Sequence, residues 1–148
     1  MRMVLPMTGR LLVAAQFSLI AWLVWPFTPQ AWSGQALLPL ALCLLLGVWT
    51  LVYNHPGNFN IRPEPKAGGR LVTDGPYRLI RHPMYTAVLL FGVAEVLAYA
   101  DPYKLVALAL LVLVLWKKSS VEEAALREKF PDYAAYAAGT KRFIPFIW

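Results

Sequence analysis

Cysteine and histidine are nearly absent from this chain, at one and two residues among 148. The single cysteine, Cys43, excludes an intrachain disulfide, and its place inside an apolar run makes it a small buried hydrophobe. With so few soft ligands there is no Cys/His cluster at metal-ligand spacing, and no metal site is expected. Acid is scarce too, with eight Asp and Glu against fourteen Lys and Arg and a formal net charge of +6. Such a balance can mark nucleic-acid binding. Here the basic residues flank apolar runs and line no polar face, so anionic lipid and not nucleic acid is the expected partner.

Apolar residues fill the space, at 59% of the chain with a mean hydropathy of +0.52, and membrane residence is the first reading for one domain of this length. Leu11 to Phe27 runs without a charge after Arg2 and Arg10. A signal peptide has a similar start, but this core is long and no A-x-A site follows, so a retained helix is expected. Pro29 and Gly34 mark a turn before a second run, Ala36 to Tyr53, which stops at Asn54-His55-Pro56-Gly57. His55 there is expected to face water. Tyr85 to Ala100 is a third run, short for a perpendicular span unless it borrows Pro83 and Met84. Asp101-Pro102 turns into a fourth, Tyr103 to Trp116. Good helix formers follow, predicting that this helix leaves the membrane and continues to about Phe130, where Pro131 ends it. The aromatic and basic tail beyond suits a segment folded back onto the interface.

These runs predict an all-α integral-membrane fold of four transmembrane helices, at about 11–27, 36–53, 84–100 and 103–117. Thirteen of the fourteen Lys and Arg fall on one side and only Lys104 on the other. The positive-inside rule then places both termini and the central loop in the cytoplasm.

Between the second and third runs lies the densest polar stretch, GRLVTDGPYRLIRHPMY from Gly69 to Tyr85. Pro83 restricts His82 to extended geometry, just before the third helix, and Gly75-Pro76 makes a turn presenting Tyr77. A second polar group, Lys118, Glu122 and Glu123, leaves the bilayer beside it; Lys118 and Glu122, four apart, share a helical face. From the residues alone this is a polar ligand site at a membrane face.

Gly75-Pro76-Tyr77-Arg78, Arg81-His82-Pro83-Met84-Tyr85 and Glu122-Glu123 with Leu126, Phe130, Tyr133 and Tyr136 resemble the isoprenylcysteine carboxyl methyltransferase and phospholipid methyltransferase superfamily, in its small prokaryotic form. The resemblance runs from about residue 54 to 145. It implies a multi-pass methyltransferase of the inner or plasma membrane, using S-adenosylmethionine held by regions 58–85 and 118–145. A lipophilic acceptor would enter from the bilayer. By motif position the cofactor contacts would be Gly69, Arg70, Leu71, Val72, Tyr77, His82, Pro83, Met84, Tyr85 and Glu122, with Glu123 completing the pair. Lys118 stands where the prenylcysteine branch has an arginine that contacts substrate, and lysine lacks that bidentate fork. Ala87 and Pro131 also replace common glycines. Lys118 and Glu95 are the substrate-side candidates for catalysis. Glu95, an acid inside the third run, either lines the acceptor cavity or partners a neighbouring helix. Two other readings stay open. One is an NADPH-dependent reductase of the related sterol-reductase type, and the other is a non-catalytic membrane scaffold. The sequence permits either a monomer or a dimer.

Overall fold

The computed structural model describes residues 4–28, 32 and 34–148, and among these every regular element is helical. Helix α1 is Val4–Val24, α2 Leu37–Tyr53, α3 Pro83–Tyr99, α4 Pro102–Lys129 and α5 Tyr133–Gly139. Arg2, from the charge count, and Pro29, from the first turn, lie outside the described residues.

Helix α1 begins earlier than its apolar run because Thr8, Gly9 and Arg10 include no proline, and the cost of one glycine does not stop the helix. It ends at Val24 instead of Phe27, since Pro26 disfavours helical geometry at the residue before it. A short 3-10 turn, Gly34–Ala36, leads into α2. Pro83 occupies the first turn of α3, where a missing N–H costs nothing. Asp101 caps α4, its side chain accepting from the Tyr103 N–H at 2.8 Å. The fourth helix does run past its apolar part and stops at the Phe130 cap.

Met7–Val24 and Gly34–Tyr53 are each long and apolar enough to cross a membrane. Helix α3 is apolar over 17 residues, about 26 Å of rise. The helices pack α2 on α3, α3 on α4 and α4 on α1. Leu23, Ala107, Leu111 and Leu115 form the central contact, joined by Leu19, Val88 and Leu108. Outward, Leu42, Leu45, Val48, Trp49 and Val52 on α2 and Leu110, Leu113 and Trp116 on α4 are exposed. Such a surface suits hydrocarbon as solvent, and packing must then come from close contact rather than water exclusion.

Lys104, set apart by the charge count as the lone cation of the far side, does not face water there. It is 1% exposed and pairs with Glu95 at 3.0 Å. Its ammonium also caps the end of α1 through the Leu23 carbonyl and sits 3.9 Å from the centre of the Tyr99 ring.

The central loop is ordered, as its apolar residues required. Val72 and Ile80 are buried. Asn58 bonds Asn54 at 2.6 Å and both backbone groups of Arg70, and Asn54 donates to the Tyr77 hydroxyl at 2.9 Å. Gly75 sits at φ +58 with Tyr53 so close that an added Cβ would lie 2.5 Å from its ring, so glycine is required twice over. The tail differs from expectation. Beyond α5 it docks on the segment before α3, with Arg81 N–H bonding the Lys141 carbonyl at 2.8 Å and His82 N–H the Arg142 carbonyl at 3.1 Å. Backbone pairing, more than amphipathicity, fixes it there, although Phe146 and Ile147 stay exposed.

Candidate functional site

The turn, the start of α3, the extension of α4 and α5 enclose one cleft, with about 820 Å³ of open space counting its mouth. Gly69, Arg70, Leu71, Val72, Tyr77, His82, Pro83, Met84, Tyr85 and Glu122 all line it. These ten come from three separated stretches, and the fold brings them to a single wall.

His82 is held from every side. It is 5% exposed, stacked on Tyr85 with ring centres 5.2 Å apart, and backed by Phe143 at 5.8 Å. Its Nε2 lies 3.1 Å from Glu123 Oε1 and its Nδ1 3.7 Å from Glu122 Oε2. A carboxylate can only accept, so Nε2 carries a proton. Tyr85 donates to Glu122 Oε2 at 2.7 Å, leaving that carboxylate 30% exposed at the cleft.

Glu123 is the neighbour of Glu122 in sequence but stands about 100° round the helix. It does not line the cleft. Fully buried, it meets Arg81 at 2.9 Å, His82, Arg142 at 3.1 Å and Arg127 at 3.5 Å. Burial pushes its carboxyl up, but hydrogen bonds from His82 and Arg81 and their charges outweigh this and hold it at about 2. Arg81 also bonds the carbonyls of Ala137 and Thr140, and Arg142 bonds Ser120 at 3.0 Å. Glu123 therefore ties the cleft's back wall to α4, α5 and the tail.

Lys118 points into the bundle instead of sharing the cleft with Glu122. It is 2% exposed, donates to Gln16 on α1 at 2.6 Å and lies 5.1 Å from the centre of the Tyr85 ring, behind the cleft wall. Glu95 stands ten residues beyond Tyr85 along α3, about 15 Å away. Of its two open roles the geometry supplies the structural one, through Lys104.

Asn54 lines the cleft from outside the regions assigned to the cofactor. Asn58, Phe59, Arg62, Glu64 and Lys66, inside region 58–85 but not singled out as contacts, line it too. Only the density of Asn and Pro hinted at them. Gly9 lets α1 approach this loop, since a Cβ there would lie 2.6 Å from Glu64 Oε1 and 3.1 Å from Pro63. Lys129 closes the far edge by donating to the Lys66 and Ala67 carbonyls. Burial pushes the Tyr77 phenol up to about 12, against the Asn54 hydrogen bond and with help from Glu122, so it is neutral at physiological pH. Among the described residues no group of His, Cys, Asp and Glu is arranged to hold a metal ion.

The chemistry of this wall suits a zwitterionic, cationic ligand bearing a ring. Glu122 offers an accessible carboxylate, Arg62, Lys66 and Arg70 offer cations, and Tyr77, Tyr85 and Phe59 offer aromatic surface.

The model of the phospholipid methyltransferase family matches residues 41–133. Over 130 residues, 80% of this chain and 56% of the relative, the chain is 31% identical to the cobalt-zinc-cadmium resistance protein CzcN of Cupriavidus metallidurans. A probable protein-S-isoprenylcysteine O-methyltransferase of Oryza sativa is 37% identical over 83 residues, 53% of this chain and 42% of that protein. Protein-S-isoprenylcysteine O-methyltransferase B of Arabidopsis thaliana is 30% identical over 83 residues, covering 53% and 41%. The chain thus spans about half the length of the curated relatives it matches.

Proposed function

This chain belongs to the phospholipid methyltransferase family, and on that premise we propose that it is an integral-membrane, S-adenosylmethionine-dependent methyltransferase acting on a lipophilic acceptor. One observation carries the reading. The ten residues that motif position assigns to the cofactor line one cleft, with a free carboxylate, cations and aromatic rings that fit its charges and its purine. All four long helices cross the bilayer on this reading, with both termini and the cleft in the cytoplasm. The acceptor arrives through the apolar surface.

When bound, the cofactor supplies an electrophilic methyl carbon on a sulfonium. The protein's share is orientation and electrostatics, because an in-line displacement gains most from holding nucleophile and carbon in line. Glu122 takes the ammonium or the ribose hydroxyls, held to its rotamer by Tyr85. His82, oriented by the Glu123 bond at Nε2, would meet the carboxylate end through Nδ1 with that nitrogen protonated as well. The Tyr85 and Tyr77 rings favour a sulfonium face-on. Lys118, behind Tyr85 and 2% exposed, stays the substrate-side candidate.

Calorimetric titration of the detergent-purified protein with S-adenosylmethionine, and separately with NADPH, tests this. Saturable binding of the methyl donor is expected, weakened about ten- to a hundredfold in His82→Ala and in Glu122→Ala, since each removes a charged hydrogen bond. Binding of NADPH alone would move the assignment to a reductase. Binding of neither, by a folded protein, would leave a scaffold.

A further inference from the structure

Among the described residues, Glu64 and Tyr133 line the cleft and keep a fully buried side-chain oxygen without a hydrogen-bond partner, and of the two only Tyr133 is a hydroxyl. Tyr133 opens α5, is 1% exposed and lines the cleft beside Leu126, Phe130 and Tyr136. Its hydroxyl is buried with no hydrogen-bond partner among the described residues. The neighbours are committed elsewhere. The Tyr136 hydroxyl donates to the Tyr77 carbonyl at 2.8 Å, and Arg81 is taken by Glu123, Ala137 and Thr140. A buried hydroxyl without a partner costs roughly 1–3 kcal/mol, and a folded chain seldom carries that cost without use. Phenylalanine would fill the same space without it.

The charges around the hydroxyl decide what it can receive. Glu122 and Glu123 lie within electrostatic reach, and Arg81 is the opposing cation. Arg81's own donors are spent on Glu123 and two carbonyls, and Arg127, 5.8 Å from the Tyr133 ring centre, is paired with Glu123, so neither is left uncommitted for an anionic ligand group there. Burial, reinforced by Glu123, pushes the phenol up, so it stays a neutral donor. A neutral acceptor, a ring nitrogen or a hydroxyl oxygen, is what remains.

We propose that the Tyr133 hydroxyl is a binding group of the cleft, donating to a neutral acceptor on the nucleoside part of the methyl donor and not to its carboxylate. This rests on the cleft being the methyl-donor site. It adds a contact from α5, at a residue of the motif that motif position did not single out as a cofactor contact.

The test is Tyr133→Phe, with two probes titrated by calorimetry. S-adenosylhomocysteine carries nucleoside and amino acid, and 5′-methylthioadenosine carries the nucleoside alone. Both are expected to weaken by the same factor, about three- to tenfold for one neutral hydrogen bond. The thermal midpoint of the unliganded variant should equal or exceed that of the parent, because no protein partner is lost. Unchanged affinity for both probes overturns the proposal while leaving the methyl-donor site intact. Loss confined to S-adenosylhomocysteine moves the contact to the amino-acid end and overturns the nucleoside assignment. A midpoint lowered by several degrees would reveal a structural partner for the hydroxyl and overturn it as well. If the parent binds neither probe, the methyl-donor reading fails first and takes this contact with it.

Discussion

Two buried acids, Glu123 and Glu95, sit in the two halves of the molecule, and neither faces the cleft. Both are 0% exposed. Glu95 meets one ammonium between α3 and α4, far along the bundle. Glu123 meets three guanidinium groups and an imidazole at the back of the cleft wall. Of the adjacent glutamates on α4, the one that can touch a ligand is Glu122, 30% exposed and held by one phenol. Burial and charge partners therefore identify architecture here, and access identifies the site.

Breaking the far pair should give the largest effect on stability. Lys104→Met leaves Glu95 buried and uncompensated, at a cost of about 3–5 kcal/mol. Adding Glu95→Leu should restore most of that, with methyl-donor affinity unchanged in both variants. Thermal unfolding in detergent beside calorimetry reads both quantities, and a loss of affinity in the double variant would tie the far end to the cleft.

Glu123→Gln should cost less, roughly 2–3 kcal/mol near neutral pH. The sign follows from the lowered carboxyl, about 2 in the folded protein against 4.5 for an unperturbed glutamate. A carboxyl depressed by folding stabilises above its unfolded value and loses that contribution as pH falls toward the folded one. The gap between parent and variant should thus be full above about 4.5 and close toward about 2. Denaturant midpoints across that range measure it, and a gap independent of pH would mean that Glu123 acts by shape alone.

Gly9→Ala should do least to stability, about 1 kcal/mol, as Pro63 and Glu64 shift to admit the methyl group. Its sharper effect is expected at the cleft edge, where a several-fold loss of methyl-donor affinity would show that α1 supports the binding loop. Unchanged affinity would confine the contact to packing.

Much of this was legible beforehand because it is local. Apolar runs announced the helices, and Pro83 and Pro102 their starts, since each acts within one turn. The first helix was misplaced at both ends because apolar pattern alone ignores that Thr8 to Arg10 continue a helix and that Pro26 stops one. Lys118 was read toward the cleft because four-residue spacing with Glu122 suggests a shared face; Gln16, 102 positions away, draws it inward instead. The tail's docking on Leu79 to His82 rests largely on backbone bonds, which leave little side-chain signature.

The sequence by itself determined that the chain is helical and membrane-suited, and which motifs hold the ligand-facing residues. Hydrophobic run length, proline geometry and the turn that Gly75 requires are short-range properties of neighbouring residues. Only the tertiary structure decided which of two adjacent glutamates faces the cleft, which lysine is buried against which partner, and which tyrosine keeps an uncommitted hydroxyl. Those depend on where helices distant in sequence meet, and on the hydrogen bonds left unmade once they do.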